Sequence, residues 1–175
     1  MKELQASDSD SNPEQVKRHP WLAYYQSGGR HRLKNYLGTF NEIDFRELTG
    51  IISQFKNGAP SIFLKRMGRT ETDLWYDPVD FSNTNVLIIE WTHGNSYNLQ
   101  GVDVPILLNS TPQETLEHRR SRHRDGGTDS PFTTMVLALE QDMLVAQAPK
   151  AKLLLSKSGE ILPYKEFLKT NLEQA

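Results

Sequence analysis

VPILLNSTPQETLEHRRSRHRD, residues 104–125, passes within a few positions from an apolar run to a helix start. VPILLN (104–109) is short, almost continuously apolar and followed by turn residues, the pattern of a strand buried on both faces of a parallel sheet. Thr111-Pro112-Gln113-Glu114 combines a capping-box pair with proline at the first helical position. The spacing predicts a helix through Leu116 to about Arg124, ending near Gly126-Gly127. Ser130-Pro131 opens a second helix whose Val136, Leu139, Met143 and Leu144 share a broad apolar face. AKLLLS (151–156) downstream and VLIIE (86–90) upstream are two more short apolar runs. Strands separated by helices predict an α/β fold, an open, mainly parallel, three-layer sheet flanked by helices with right-handed crossovers.

Upstream of these strands, Asp44 stands as an N-cap three residues before Glu47. Phe45, Leu48, Ile51, Ile52 and Phe55 then recur at helical spacing, and Gly58 supplies a stop. Gly50 inside that helix costs about 1 kcal/mol relative to alanine. Residues 61–78 (SIFLKRMGRTETDLWYDP) suit an irregular or hairpin segment. HPWLAYYQSGGRHRL (19–33) sets Trp21, Tyr24 and Tyr25 beside a flexible Gly28-Gly29 turn. It reads as a loop docked by its aromatics, with ligand binding as the alternative. Residues 1–19 are polar and broken by Ser, Asp, Asn and Pro, the composition of a flexible tail. A short last helix is expected from Pro163, carrying Phe167 and Leu168. Residues 20–175 thus read as one domain.

Composition bounds the function classes. At ~150 residues per domain, 175 residues make about one domain. Apolar residues are 37% of the chain and charged residues 24%. Twenty basic against 22 acidic side chains leave a net charge of −2, which disfavours a globally basic nucleic-acid binder. Cysteine is absent, which excludes disulfides, thiolate metal sites and thiol catalysis. No apolar run approaches the ~18 residues of a membrane span, and no signal-peptide core follows Met1. A cytoplasmic protein with no membrane partner is expected.

Chemistry concentrates at His118-Arg119-Arg120-Ser121-Arg122-His123-Arg124-Asp125, four arginines and two histidines in eight residues of an acidic protein. On a helix, Arg119 neighbours Arg122 and Arg120 neighbours Arg124. Guanidinium forks match phosphate oxygens bidentately, so this cluster suits polyphosphate. A solvated face paired with Glu114, Glu117 and Asp125 is the plainer reading. Glu90 ends VLIIE, and ligands in open parallel sheets bind beyond the carboxyl ends of strands. A carboxylate there is suited to hold Mg2+ through water or to accept a proton, or else to cap a neighbouring backbone. His93, Asn95 and Ser96 add hydrogen-bonding groups to the same loop. Lys65, Arg66 and Arg69 are candidates for a substrate anion, or for surface ion pairs with Asp73 and Asp77. The histidines (His31, His93, His118, His123) form no zinc pattern, and Gly-x-Ser-x-Gly is absent.

The order of these features resembles the C-terminal two-thirds of the uridine kinase and phosphoribulokinase family of P-loop kinases. The features are a capped helix ending in Lys-x-Gly, a basic segment, an apolar strand ending in Glu, and a second apolar strand. Thr-Pro and Arg-Arg-x-Arg-x-Arg-Asp follow, then a helix and a strand. The resemblance runs from about Asn41 to Ser156, and its most specific pieces are VLIIE (86–90) and STPQETLEHRRSRHRD (110–125). It implies a P-loop-kinase-like fold using ATP and Mg2+, with Glu90 near metal and substrate. By the same resemblance Arg119, Arg120 and Arg124 close over nucleotide phosphates, and Lys65, Arg66 and Arg69 lie in the substrate-side hairpin. It gives Trp91 where the family carries glycine. No G-x-x-x-x-G-K-[ST] occurs in the 175 residues, and phosphoryl transfer rests on positioning and charge neutralisation that such a loop provides.

Three functions follow. The first is the lid and substrate portion of a kinase, acting on a nucleoside or sugar-like hydroxyl, whose phosphate-binding half is supplied elsewhere. The second is a catalytically dead relative keeping a phosphate-binding or protein-interaction surface. The third is a nucleic-acid or protein-binding module using the 118–124 arginines. The expected partner is a nucleotide or phosphorylated small molecule, with self-association open if apolar surface is left uncovered.

Overall fold

A computed structural model of the protein describes residues 20–68, 73–122 and 131–172, the side chains of 122 and 170–172 aside. The tail expected over 1–19 lies outside them, as do Arg69, His123, Arg124 and Asp125.

The first described element is α1 (Pro20–Lys34), two helical pieces joined at Gly28–Gly29, where Gly29 adopts φ 57°, ψ −144°. That conformation belongs to glycine. The expected loop is therefore helical. Its aromatics do dock it: Trp21 and Tyr25 pack on Phe132 with ring centroids 5.2 Å away in each case. Leu33, fully buried, meets Val136 and Leu139.

α2 (Phe45–Lys56) begins where the sequence placed it, with the Asp44 carboxylate accepting from the Arg46 and Glu47 amides. Glu47 does not complete a capping box, because its carboxylate is taken by the hairpin that follows. That hairpin is β1 (Ser61–Met67) paired antiparallel with β2 (Leu74–Asp80). One apolar cluster ties α2 to the 89–102 segment through Phe45, Ile52 and Leu99, with Ile89 and Trp91 at its margin.

The second sheet is parallel, β3 (Ile106–Asn109) beside β4 (Leu153–Ser156). Between them lie α3 (Leu116–Arg122) and α4 (Pro131–Gln147), and α5 (Tyr164–Leu172) follows β4. Leu107 and Leu154 face the same way and pack on Phe167 and Leu168 of α5 and on Leu144 and Val145 of α4. Ile106 and Leu108 face the other way and are 44% and 62% exposed. Among the described residues the architecture is thus a small α/β arrangement with one antiparallel and one parallel two-stranded sheet, not a single open sheet.

Two expectations fail here. VLIIE (86–90) forms no strand, and Val86 and Ile88 are 70% and 84% exposed. VPILLN is a strand but is covered on one face only. An apolar run marks a segment suited to burial, whereas strand formation requires a neighbouring backbone to pair with, and among the described residues 86–90 has none.

Candidate functional site

The capping box of α3 forms in full. Glu114 Oε2 accepts from the Thr111 amide at 2.8 Å and from Thr111 Oγ1 at 3.0 Å, while the Glu114 amide donates to Thr111 Oγ1 at 3.3 Å. A turn over 112–115 separates this box from the regular helix, which starts at Leu116. Arg119 folds back onto the turn, its Nη1 donating to Pro112 O at 2.7 Å and to Thr115 Oγ1 at 2.5 Å. Its Nε is buried and has no partner. Arg120 points outward and pairs with Glu117 at 2.8 Å. The two adjacent arginines therefore diverge, one holding the helix entry and one standing at the surface. Arg122 ends α3, and Arg124 lies outside the described residues. Thr111 is 2% exposed, so Thr111→Ala is expected to cost about 1–2 kcal/mol. Thr111→Ser should recover most of that loss in urea unfolding. An unchanged midpoint in the alanine variant would show that the box does not hold this end of the helix.

The other candidates are distributed as follows. Glu90 is exposed at the end of the 84–90 segment. Three residues on, His93 and Asn95 are buried. Asn95 Nδ2 donates to Ile106 O at 2.8 Å, anchoring the loop to β3, and Asn95 Oδ1 has no partner. Lys150, after α4, donates to Ser96 O and to Leu99 O, the latter at 2.7 Å, clamping the far side of the loop. Burial lowers its pKa below the ordinary lysine value. Lys65 and Arg66 sit on the hairpin in surface ion pairs, Lys65 with Glu47 at 3.3 Å and Arg66 with Asp77 at 3.9 Å. Tyr76 also donates to Glu47, at 2.8 Å, and the bond to Glu47 raises the Lys65 pKa.

A cluster the sequence reading did not single out surrounds His93. Gly38, at φ 68°, lies so close to its neighbours that an added Cβ would stand 2.9 Å from Met143 Sδ and 3.0 Å from His93 Cε1. The Gly38 amide donates to Glu42 Oε2 at 2.7 Å. Burial pushes the His93 pKa down, with Glu42 opposing, and pushes the Glu140 pKa up, with Glu42 adding to it. Tyr36 is raised by the same two causes, burial first. The Glu42 charge thus acts on both His93 and Glu140, linking the turn at 36–42 to the loop at 91–99 and to α4. Glu140 is the one acid in PFTTMVLALE, an otherwise apolar and hydroxyl-bearing opening to α4, and that interruption was the legible signal.

The signs of the two shifts are opposite. His93, depressed from 6.5, binds fewer protons folded than unfolded, so its contribution is full above pH 6.5 and is lost as pH falls through the folded pKa. Glu140, raised from 4.5, binds more protons folded, so its contribution is full below pH 4.5 and is lost as pH rises through the folded pKa. Glu140→Gln is therefore expected to match the parent near pH 4 and to melt at progressively higher temperature than it toward pH 8. Parallel melting curves across that range would remove the burial argument.

Among the described residues no group of three or more His, Asp or Glu side chains is placed to hold a metal ion. Glu90 as a lone exposed carboxylate fits a Mg2+ whose other ligands are water and phosphate oxygens, the usual arrangement for that ion. No helix among the described residues is long and apolar enough to cross a membrane.

With this geometry in place, the chain can be compared with known proteins. Over 140 residues, 80% of the chain, the sequence is 42% identical to the bifunctional alpha-galactosidase/sucrose kinase AgaSK of Mediterraneibacter gnavus. The chain is related to a part of that enzyme. It spans 15% of the relative's length. No family model matches the chain, and no solved structure matches it. The resemblance to uridine kinase and phosphoribulokinase is thus supported as far as a distant kinship with a kinase-bearing protein.

Proposed function

We propose that this chain is the lid and acceptor-side portion of an ATP-dependent sugar kinase of P-loop type, completed by a phosphate-binding portion outside these 175 residues. The observation that carries the reading is the 42% identity over 140 residues to a protein named in part as a sucrose kinase. The absence of a phosphate-binding Gly-Lys-Ser/Thr loop agrees with a chain that cannot position ATP alone. The acceptor narrows to a carbohydrate hydroxyl, since the relative's other activity also concerns a sugar.

In this reading Glu90 is a ligand of Mg2+ or the proton acceptor for the attacking hydroxyl. The ion, when bound, neutralises charge between the nucleotide's phosphates. Arg120 contacts phosphate by exchanging its exposed partner Glu117, a pair worth about 0–1 kcal/mol. Arg122 and Arg124 follow on the same segment. Arg119 holds the helix entry and acts as a positioning residue. Lys65, Arg66 and Arg69 contribute from the hairpin, and His93 and Asn95 shape the loop beneath the acceptor.

The test is a transplant. The matched 140 residues of the bifunctional relative are replaced by the matching residues of this chain, and both activities are assayed. Sucrose phosphorylation retained beside intact galactosidase activity supports the proposal. Galactosidase lost with phosphorylation retained would place the matched region in the wrong half, and phosphorylation absent from a folded chimera would end the reading.

A further inference from the structure

The parallel sheet is closed on one side and open on the other. Beyond β4 the chain returns at 160–162, where Ser156 N–H donates to Glu160 O and Leu162 N–H donates to Leu154 O, both at 2.8 Å, with a bridge between Leu155 and Ile161. That edge is sealed. On β3 the Pro105 carbonyl accepts from the Lys152 amide at 2.8 Å, so it faces β4. Carbonyls alternate sides along a strand, so those of Ile106 and Leu108, with their N–H groups, face away from β4. Among the described residues no strand stands there. What does stand there is Asn95, a residue 5% exposed, whose amide nitrogen donates to the Ile106 carbonyl and leaves the outward N–H and C=O of Leu108 as the open part of the edge.

An unsealed backbone edge and exposed Ile106 and Leu108 call for the same ligand. A peptide backbone supplies an N–H donor to Leu108 O and an acceptor for the Leu108 N–H, while its own elements cover the bare face. Val86 and Ile88 leave further apolar surface for the same partner. Edge strands left like this are pairing templates, and a parallel pair covered on one face is half of an arrangement found covered on both.

We infer that the free edge of β3 is a strand-docking site, occupied by an extended segment of the polypeptide that completes the enzyme. The inference rests on the proposal above for the partner's identity. It commits to that segment rather than to a second copy because in the relative the matched residues are 15% of one longer chain, so most of the polypeptide that surrounds them lies outside these 175 residues.

The experiment co-expresses this chain with the relative's polypeptide from which its matched 140 residues have been deleted, and follows amide hydrogen exchange. A one-to-one complex is expected, with exchange at the outward-facing Leu108 amide slowed at least tenfold. Leu108→Pro removes only that outward N–H, which an edge strand tolerates, and should abolish the complex while β4 amides stay protected. Leu108→Lys, at a side chain 62% exposed, should weaken it at least tenfold and serves if the proline variant does not fold. Unchanged exchange at Leu108, or equal binding by both variants, overturns the inference. So does protection that grows with this chain's own concentration in the absence of the second polypeptide, since a second copy would then fill the edge. A complex that protects Leu108 yet binds no Mg-ATP would fail the kinase reading and leave the docking site standing. Mg-ATP binding with Leu108 unprotected would do the reverse.

Discussion

Phe45→Ala is expected to remove about 3–5 kcal/mol of stability, the usual cost of emptying a buried phenylalanine site. Phe45 is 1% exposed, and its ring meets Phe40 at 5.2 Å and Trp91 at 5.6 Å between centroids. Below it lie Ile52 and Leu99. The loss is more than local, because Trp91 follows Glu90 directly and its ring lies edge-on to His93 at 5.3 Å. Phe45 therefore holds the candidate acid and the buried histidine loop against α2, and its removal loosens both. Phe63→Ala is the control, since that side chain is 64% exposed on β1 and its loss should fall within about 0.5 kcal/mol. Urea unfolding of both variants decides the matter. A Phe45→Ala cost below about 1 kcal/mol would mean that the 89–102 segment is held by something other than this cluster.

Local signals in this sequence translated well wherever the physics is local. Asp44 caps α2 and Thr111 with Glu114 closes a reciprocal box, since a cap needs only side chains within three residues of the amides they satisfy. The parallel pairing of 106–109 with 153–156 was also readable, because the helices between them dictate a crossover. Signals that depend on distant partners translated less well. VLIIE reads as a buried strand by composition and is an exposed segment in the fold, for want of a neighbour. The arginine run reads as one cluster, yet Arg119 and Arg120 separate because Pro112 O and Thr115 Oγ1 lie within reach of the first and Glu117 of the second. α1 was hidden by Gly28-Gly29, which predicts a turn and is in fact a break between two helical pieces. Its helicity is secured by Phe132, more than a hundred residues later. Glu140 shows in the sequence as an acid in an apolar helix opening, but that Glu42 acts on both it and His93 was not legible, since it arises only when α4 packs beside the 36–42 turn.

The divergence of the two arginines makes the kinase proposal separable from stability. In the chimera described above, Glu90→Gln is expected to lower turnover about 100-fold or more, the scale of losing a positioned acid-base or metal-binding carboxylate. Its KM for the sugar should change little. Glu90 is exposed, so the melting temperature should not move, and a rate loss cannot be laid to misfolding. Arg120→Ala should raise the KM for ATP with little change in stability, because an exposed pair with Glu117 contributes at most about 1 kcal/mol. Arg119→Ala should do the opposite first: it frees Pro112 O and Thr115 Oγ1, loosens the helix entry and lowers the melting temperature, with ATP affinity falling only as a consequence. Steady-state kinetics and thermal melts of the three variants read these patterns directly. Glu90→Gln turning over within about twofold of the parent would strip Glu90 of any part in the chemistry. An Arg119→Ala variant that keeps its melting temperature but loses ATP would reverse the roles of the two arginines, giving phosphate contact to the one that the fold uses on its own helix.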